Sequence, residues 1–302
     1  MSATPVFGRI ATAVITPFDS RGGIDYAAAK RLVEHLAANG SDAVVVAGTT
    51  GEGATLSAEE RVELFKFWAD SAPDGLKVVA NTGTNVTDES VKLTQQATKA
   101  GVDGVMAVMP YYNKPNTDGQ IRHFRMVAQA TDKPVLMYNV PSRTGGSMTL
   151  EAIYQLSGVS NIAAIKEASG NLDFVSSIIK NSAHDFVVYS GDDSLTLPIL
   201  AVGGVGVVSV ASHIVGPQLA EMVQAYVKGE VDRAAKIHRD LHGVFKALFL
   251  TTNPIPVKTA MAMMGLVSEN FRLPMTPAPE DVKNHLAAIM NEHGLFPGIP
   301  SK

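Results

Sequence analysis

The chain has no cysteine among its 302 residues. That absence excludes disulfides, thiolate nucleophiles, zinc ribbons and iron–sulfur clusters, and leaves the redox compartment open, because a thiol-free chain is indifferent to it. Cationic clusters are missing as well. Lys and Arg number 25 against 29 Asp and Glu, a net charge of −4 with His neutral, and without a basic block there is no footprint for a nucleic-acid partner. Long apolar runs are also lacking. The segment 194–220 has no Asp, Glu, Lys or Arg but is broken by Pro198, Gly203, Gly204 and Gly206, whereas a membrane helix needs roughly 18 or more consecutive apolar residues. It reads as a short buried helix followed by a buried strand. The N-terminal stretch MSATPVFGRIATAVITPF shows no charged segment followed by a sustained apolar core, so no cleaved signal is expected. The expectation is a soluble, intracellular protein without a membrane or nucleic-acid partner, placed in the cytoplasm.

What is present is apolar material in short, regular packets. With 46% hydrophobic and 18% charged residues the chain can bury a large core and carries no signature of disorder. Strands covered on both faces read as short continuous apolar runs, and the helices that cover them repeat at helical period. Eight such runs occur, near 11–16, 43–48, 78–81, 104–109, 135–138, 162–165, 186–189 and 205–210. Helical patterns lie between them, for example at 57–70, 87–100 and 118–130. Ser57 with Glu60 forms a capping-box pattern, and Thr87 with Ser90 the weaker half of one. Eight strand–helix repeats predict an α/β fold, a (β/α)8 TIM barrel. An open doubly wound sheet would show a glycine-rich turn after its first strand, where this chain has Thr16-Pro17-Phe18. After Pro217 the pattern becomes helical without strands, over 218–250, 257–264 and 280–293, with proline-rich breaks. The division expected is a catalytic barrel over 1–229 and a small all-helical C-terminal subdomain over 230–302.

Barrel enzymes carry their chemistry where the strands end. The residues there include Thr49-Thr50-Gly51-Glu52, Tyr111-Tyr112, Tyr138, Arg143, Lys166 and Ser190-Gly191-Asp192-Asp193. Lys166 follows Ala163-Ala164-Ile165 in the same strand, and on a period of two it points with Ala164, whose small side chain leaves room inside a barrel. A buried ammonium tends to lose its proton and become a nucleophile toward carbonyls. Spacing alone leaves open that Lys166 reaches a solvated rim or pairs with a carboxylate. Thr49-Thr50 offers hydroxyls and backbone N–H groups on a turn suited to a carboxylate, or a plain turn. Arg143 fits bidentate carboxylate binding, or a surface ion pair. The tyrosines suit proton relay, or packing with a wet tip. His238 and His242 have a zinc pair's i, i+4 spacing without the intervening glutamate, which favours a solvated helix face. Met261, Met263 and Met264 read as packing. No metal site is expected.

Taken in order, GTTGE at 48–52, PYYNKP at 110–115, YNVPSRTG at 138–145, IKEASGN at 165–171, SGDD at 190–193, GVVSVASH at 206–213 and NPIPVKTAM at 253–261 resemble the pyruvate-dependent class I aldolases, the dihydrodipicolinate synthase / N-acetylneuraminate lyase family. The likeness spans nearly the whole chain. It implies that Lys166 forms a Schiff base with pyruvate, so that no metal or organic cofactor is needed, and that the resulting enamine attacks aspartate 4-semialdehyde. Tyr138, Thr49 and Tyr112 match the family's proton-relay hydroxyls, with Tyr112 expected from a neighbouring subunit. Thr50 matches the group that holds the pyruvate carboxylate, Arg143 the one that meets the aldehyde's carboxylate, and Gly191 and Val208 positions lining the pocket. Aldolases for sugar acids or N-acetylneuraminate are the alternative within the family, disfavoured by Thr49-Thr50 together with Arg143; a non-catalytic carboxylate-binding barrel is the alternative outside it. The family implies a homo-oligomer, commonly a tetramer built from dimers. Ala54, Asn85, Glu89 and Tyr111 match an allosteric lysine site. Gly53, Ala58 and Arg61 stand where regulated members carry a serine and two histidines, so lysine inhibition is expected to be weak or absent.

Overall fold

The computed structural model describes residues 5–295, so both ends of the expected 1–229 and 230–302 division and the first four residues of the N-terminal stretch lie outside it. Eight strands run β1 Ile10–Ala13, β2 Ala43–Val46, β3 Lys77–Asn81, β4 Gly104–Val108, β5 Val135–Asn139, β6 Ile162–Glu167, β7 Val187–Ser190 and β8 Gly206–Ser209. Each pairs in parallel with the next and β8 closes on β1. This is the eightfold barrel that the apolar runs predict.

Alternation along each strand divides the core into two layers. Val44, Val46, Val105, Met137 and Ile165 face outward, against the helices. Ala11, Ala13, Val45, Met106, Leu136, Tyr138, Ala164 and Val208 face inward. Several apolar runs outlast their ladders. Val14 and Ile15 remain buried beyond β1, where the Ile15 N–H donates to His213 Nε2 at 3.2 Å instead of to a strand. Burial continues there although strand pairing has stopped, which is why the runs overestimate strand length.

Helices α1 Tyr26–Ala38, α2 Ala58–Ser71, α3 Thr87–Lys99, α4 Thr117–Gln129, α5 Pro141–Thr144, α6 Leu150–Ser157, α7 Leu172–Asn181, α8 Thr196–Ala201 and α9 Ser212–Val227 alternate with the strands. The capping box at Ser57 and Glu60 is formed in full. The half-box expected at Thr87 is not: Val86 is the N-cap and makes no side-chain bond. The Thr87 hydroxyl pairs with His123 Nδ1 at 3.0 Å, and Ser90 Oγ accepts from the Thr84 N–H. Helix α9 begins before Pro217, with a non-helical residue at Val215 absorbing the proline. The long pattern 218–250 is two helices, since α10 Val231–Ala247 starts afresh after Gly229 (φ +83°).

Helices α11 Ile255–Met263 and α12 Glu280–Glu292 complete the C-terminal part. Met261 is buried there and Met263 and Met264 pack against the core, while His238 rests on Phe245 at a ring separation of 6.0 Å. Ion pairs tie this part to the barrel. Lys258, fully buried, pairs with the equally buried Glu52, and Arg272 grips Glu60 through two nitrogens at 2.6 and 2.7 Å.

Candidate active site

The carboxyl ends of the strands open on one face of the barrel, and Lys166 lies there near the end of β6. The register between β5 and β6 decides what it meets. Val135 pairs with Ile162 but Leu136 pairs with Ala164, so Ala163 is bulged out and Tyr138 stands opposite Lys166. An unbroken register would set Tyr138 against the outward-facing Ile165; bulges re-aim side chains in this way beside active sites. Lys166 Nζ lies 4.2 Å from the centre of the Tyr138 ring. Gly191, just beyond β7, leaves the side chain its space. A Cβ there would come within 2.6 Å of Ala168 Cβ and 3.1 Å of Lys166 Cε, which makes glycine the residue that fits.

Lys166 is 5% exposed and belongs to none of the ion pairs among the described residues. Of the readings left open by spacing, the rim and the ion pair both fall away. Burial pulls its pKa down to about 8, the buried Asp193 carboxylate opposes the fall, and the Arg143 charge adds to it. Asp193 itself is held by Ser209 Oγ and by the N–H groups of Val210 and Ala211. Tyr138 moves the other way: burial pushes its phenol up to about 12, with Arg143 and the nearby Thr49 hydroxyl acting against the rise. It therefore keeps its proton near neutrality and can pass it along a hydrogen bond without ionising first.

Thr49 and Thr50 sit on a turn bracketed by two non-glycine residues in the left-handed region, Ala47 at φ +54° and Glu52 at φ +52°. Such backbone is costly and persists only where its surroundings fix it. Here Thr16 Oγ1 donates to the Gly51 carbonyl at 2.6 Å, Asn81 Nδ2 to that of Ala47 at 3.0 Å, and the Glu52 carboxylate is locked to Lys258. Arg143, at the end of α5, donates through Nη2 to the Asn253 carbonyl at 3.3 Å.

Two adjoining cavities of about 240 and 290 Å³ occupy this mouth, and both are lined by Gly48, Thr49, Met106, Tyr138, Val140, Arg143 and Asn253. Their size suits small acids better than the roughly 300–1,000 Å³ sites of larger ligands. Lys166, Thr50 and Gly191 line the inner one, Ala54 and Tyr111 the outer. Val208 is buried in the inward layer but does not line either, whereas Val210 lines the inner one. Tyr112 is not brought to the site within one chain: it is 88% exposed, with φ +71°. Of the residues matching a lysine site, Glu89 and Tyr111 line a third cavity of about 430 Å³ with Ala58 and Arg61. Asn85 lines none of the three, and its carbonyl accepts from Asn113 Nδ2 at 2.8 Å. Among the described residues no three His, Cys, Asp or Glu side chains group as metal ligands, and no helix is long and apolar enough to cross a membrane.

Residues 6–293 match the model of the dihydrodipicolinate synthetase family. The chain belongs to this family. It is 50% identical over 285 residues to a 4-hydroxy-tetrahydrodipicolinate synthase of Bacillus velezensis, covering 94% of this chain and 99% of that protein. A protein of the same name from Moorella thermoacetica is 47% identical over 290 residues, 96% of this chain and 99% of that one. Among solved structures, DHDPS from Cyanidioschyzon merolae with lysine bound superposes with a TM-score of 0.95 at 44% identity, covering 97% of this chain and all of the other. Set within the dihydrodipicolinate synthetase family, the barrel mouth has two components that reading the strand ends does not reveal. Asn253 looks in sequence like part of a proline-rich break, yet it forms wall common to both cavities. Glu52 and Lys258 are 206 positions apart, and the sequence signal that could have found the pair is a single lysine in the otherwise apolar helix Ile255–Met263.

Proposed function

We infer that the chain catalyses the 4-hydroxy-tetrahydrodipicolinate synthase reaction, the condensation of pyruvate with aspartate 4-semialdehyde on the route to diaminopimelate and lysine. It acts as a lyase through a Schiff base. The observation that carries the reading is Lys166: a buried amine without a carboxylate partner, with its pKa lowered to about 8, facing a cavity edged by hydroxyls and one guanidinium. At neutral pH roughly a tenth of such an amine is unprotonated and nucleophilic.

The neutral amine adds to the pyruvate carbonyl and water leaves, giving a protonated imine. That cation acidifies the pyruvate methyl group, and loss of a methyl proton yields the enamine. Its carbon bonds to the aldehyde carbon, whose oxygen takes up a proton and becomes a hydroxyl. The amino group of the aldehyde half then attacks the imine carbon, closing the ring and returning Lys166 as the free amine. Thr50 and the turn's N–H groups hold the pyruvate carboxylate, and Arg143 holds that of the aldehyde. Tyr138 and Thr49 carry protons in and out, joined by Tyr112 from a neighbouring copy. An exposed tyrosine held at φ +71° supports that exchange, since strained backbone clusters at functional sites. Gly191 keeps Lys166 its space, and Val208 packs in the inward apolar layer of the barrel. The protonated imine is the electron sink, so the chemistry calls for no metal or organic cofactor. We place the reaction in the cytoplasm, in a homotetramer built from dimers, with the catalytic barrel over 1–229 and the helical subdomain over 230–302.

Borohydride reduction in the presence of pyruvate should add one pyruvate-derived mass to Lys166. No adduct, or an adduct elsewhere, overturns the mechanism. A coupled assay comparing aspartate 4-semialdehyde with N-acetylmannosamine and sugar-acid aldehydes separates the synthase from the family's other aldolases. Arg143→Ala should lose the former aldehyde far more than it loses adduct formation.

A further inference from the structure

We propose that Asn253 is a positioning residue that sets the direction of the Thr50 hydroxyl, so that the proton of Thr50 is presented to the carboxylate of pyruvate. The proposal rests on the reading of Thr50 as the pyruvate-carboxylate group.

Asn253 comes from the segment joining α10 to α11, outside the barrel, and is 6% exposed. Its side-chain Nδ2 donates to Thr50 Oγ1 at 3.0 Å, and its backbone carbonyl accepts from Arg143 at 3.3 Å. One residue thus touches the groups assigned to both substrate carboxylates. The polarity of the first contact is what matters. A threonine hydroxyl has a single proton and can rotate it toward any acceptor. Because the amide N–H occupies an acceptor position on Oγ1, that proton is not drawn to Asn253, and no other protein acceptor for it occurs among the described residues. It is left for an anion in the inner cavity, which Thr50 and Asn253 both line. Asn253 Oδ1 is buried without a partner. Turning the amide over would pair Oδ1 with Thr50 instead, strand the N–H, and consume the Thr50 proton. The orientation present accepts one unpaired amide atom and keeps the hydroxyl a donor, a preorganisation that spares the cost of turning it when substrate binds.

The test is the affinity for pyruvate, read from the rate of borohydride-trapped adduct on Lys166 against pyruvate concentration, in Asn253→Ala and Asn253→Asp. Removing the amide frees the hydroxyl rotor, and half-saturation by pyruvate should rise about fivefold. The isosteric Asn253→Asp should be worse, by about a hundredfold, because an ionised carboxylate takes the Thr50 proton and repels the incoming anion. Its deficit should shrink as pH falls and the introduced carboxyl becomes a donor, a recovery that an unfolded site could not show. The KM for aspartate 4-semialdehyde at saturating pyruvate should stay within about twofold in Asn253→Ala, since the Arg143 contact uses the backbone carbonyl. Asn253→Asp milder than Asn253→Ala, equal losses for both substrates in Asn253→Ala, or no loss of pyruvate affinity in either variant overturns the proposal. Thr50→Ala in the same assay separates the two layers: if it leaves pyruvate affinity intact, the reading of Thr50 itself fails; if only the Asn253 variants are silent, the positioning role fails alone.

Discussion

Two lysines are buried among the described residues, and they do opposite things. Lys166 has aromatic and aliphatic neighbours and no carboxylate in contact, with the Tyr138 ring at 4.2 Å. Lys258 is fully buried against Glu52, donates to the Asn270 carbonyl at 3.0 Å, and lies over the Phe18 and Phe271 rings. Burial lowers both pKa values, and at Lys258 the charge of Glu52 and its hydrogen bond oppose the fall without reversing it. The difference teaches that burial alone does not make a nucleophile. A buried ammonium with a carboxylate is a bolt between segments; without one it is an amine ready to surrender its proton.

The largest effect that would break this comparison is on stability. Lys258→Met strands the Glu52 carboxylate and should cost about 3–5 kcal/mol in denaturant unfolding, with Glu52→Gln in the same chain restoring most of it. A loss that the double variant does not recover would show that packing, and not the pair, is at stake. At Lys166 the sign reverses. Its folded pKa of about 8 lies below the ordinary 10.5, so the folded state binds fewer protons between those values and stability rises with pH across that window. Below it the buried charge is a burden. Lys166→Met should therefore stabilise the fold at pH 7 by on the order of 3 kcal/mol, a gain that fades above about pH 10. Melting curves at pH 7 and pH 10 check this, and destabilisation at pH 7 would contradict the lowered pKa.

The third expectation is kinetic. Adduct formation at low pyruvate should rise about tenfold per pH unit below pH 8 and level off above it, because only the neutral amine attacks. A profile that keeps climbing past pH 9 would mean that Lys166 holds its proton as an ordinary lysine does. The smallest effect concerns lysine as a free amino acid. Arg61 puts a half-buried cationic side chain into the wall of the third cavity and Ala58 offers no polar group, so sub-millimolar lysine should leave the rate nearly unchanged. Half-inhibition in that range would show that Glu89 and Tyr111 suffice to hold the ammonium despite Arg61.

Much of the comparison could be read before folding. The period-two inward direction of Lys166 beside Ala164, the eight buried runs and the capping box at Ser57 are local properties, fixed by neighbours a few positions away. The β5/β6 bulge is not, because nothing in Val135–Asn139 or Ile162–Glu167 alone states which residue is skipped. Nor is the role of Asn253, whose partners Thr50 and Arg143 are 203 and 110 positions distant. Val208 shows the limit from the other side: the family resemblance sets it at the pocket, while in the fold it is Val210 and not Val208 that lines the inner cavity.

By itself, then, the sequence determined the number of strands, their burial on both faces, which side chain of β6 faces inward, and that no thiolate could share the covalent chemistry. These follow from periodicity and composition, which act over a turn or a strand. Tertiary structure decided which lysine stays unpaired, which tyrosine stands opposite it, and which hydroxyl keeps a free proton. Those outcomes depend on closing a ring of strands and seating the segment that carries Asn253 and Lys258 against its mouth, and charge–charge distances across such closures are set only when the whole chain has packed.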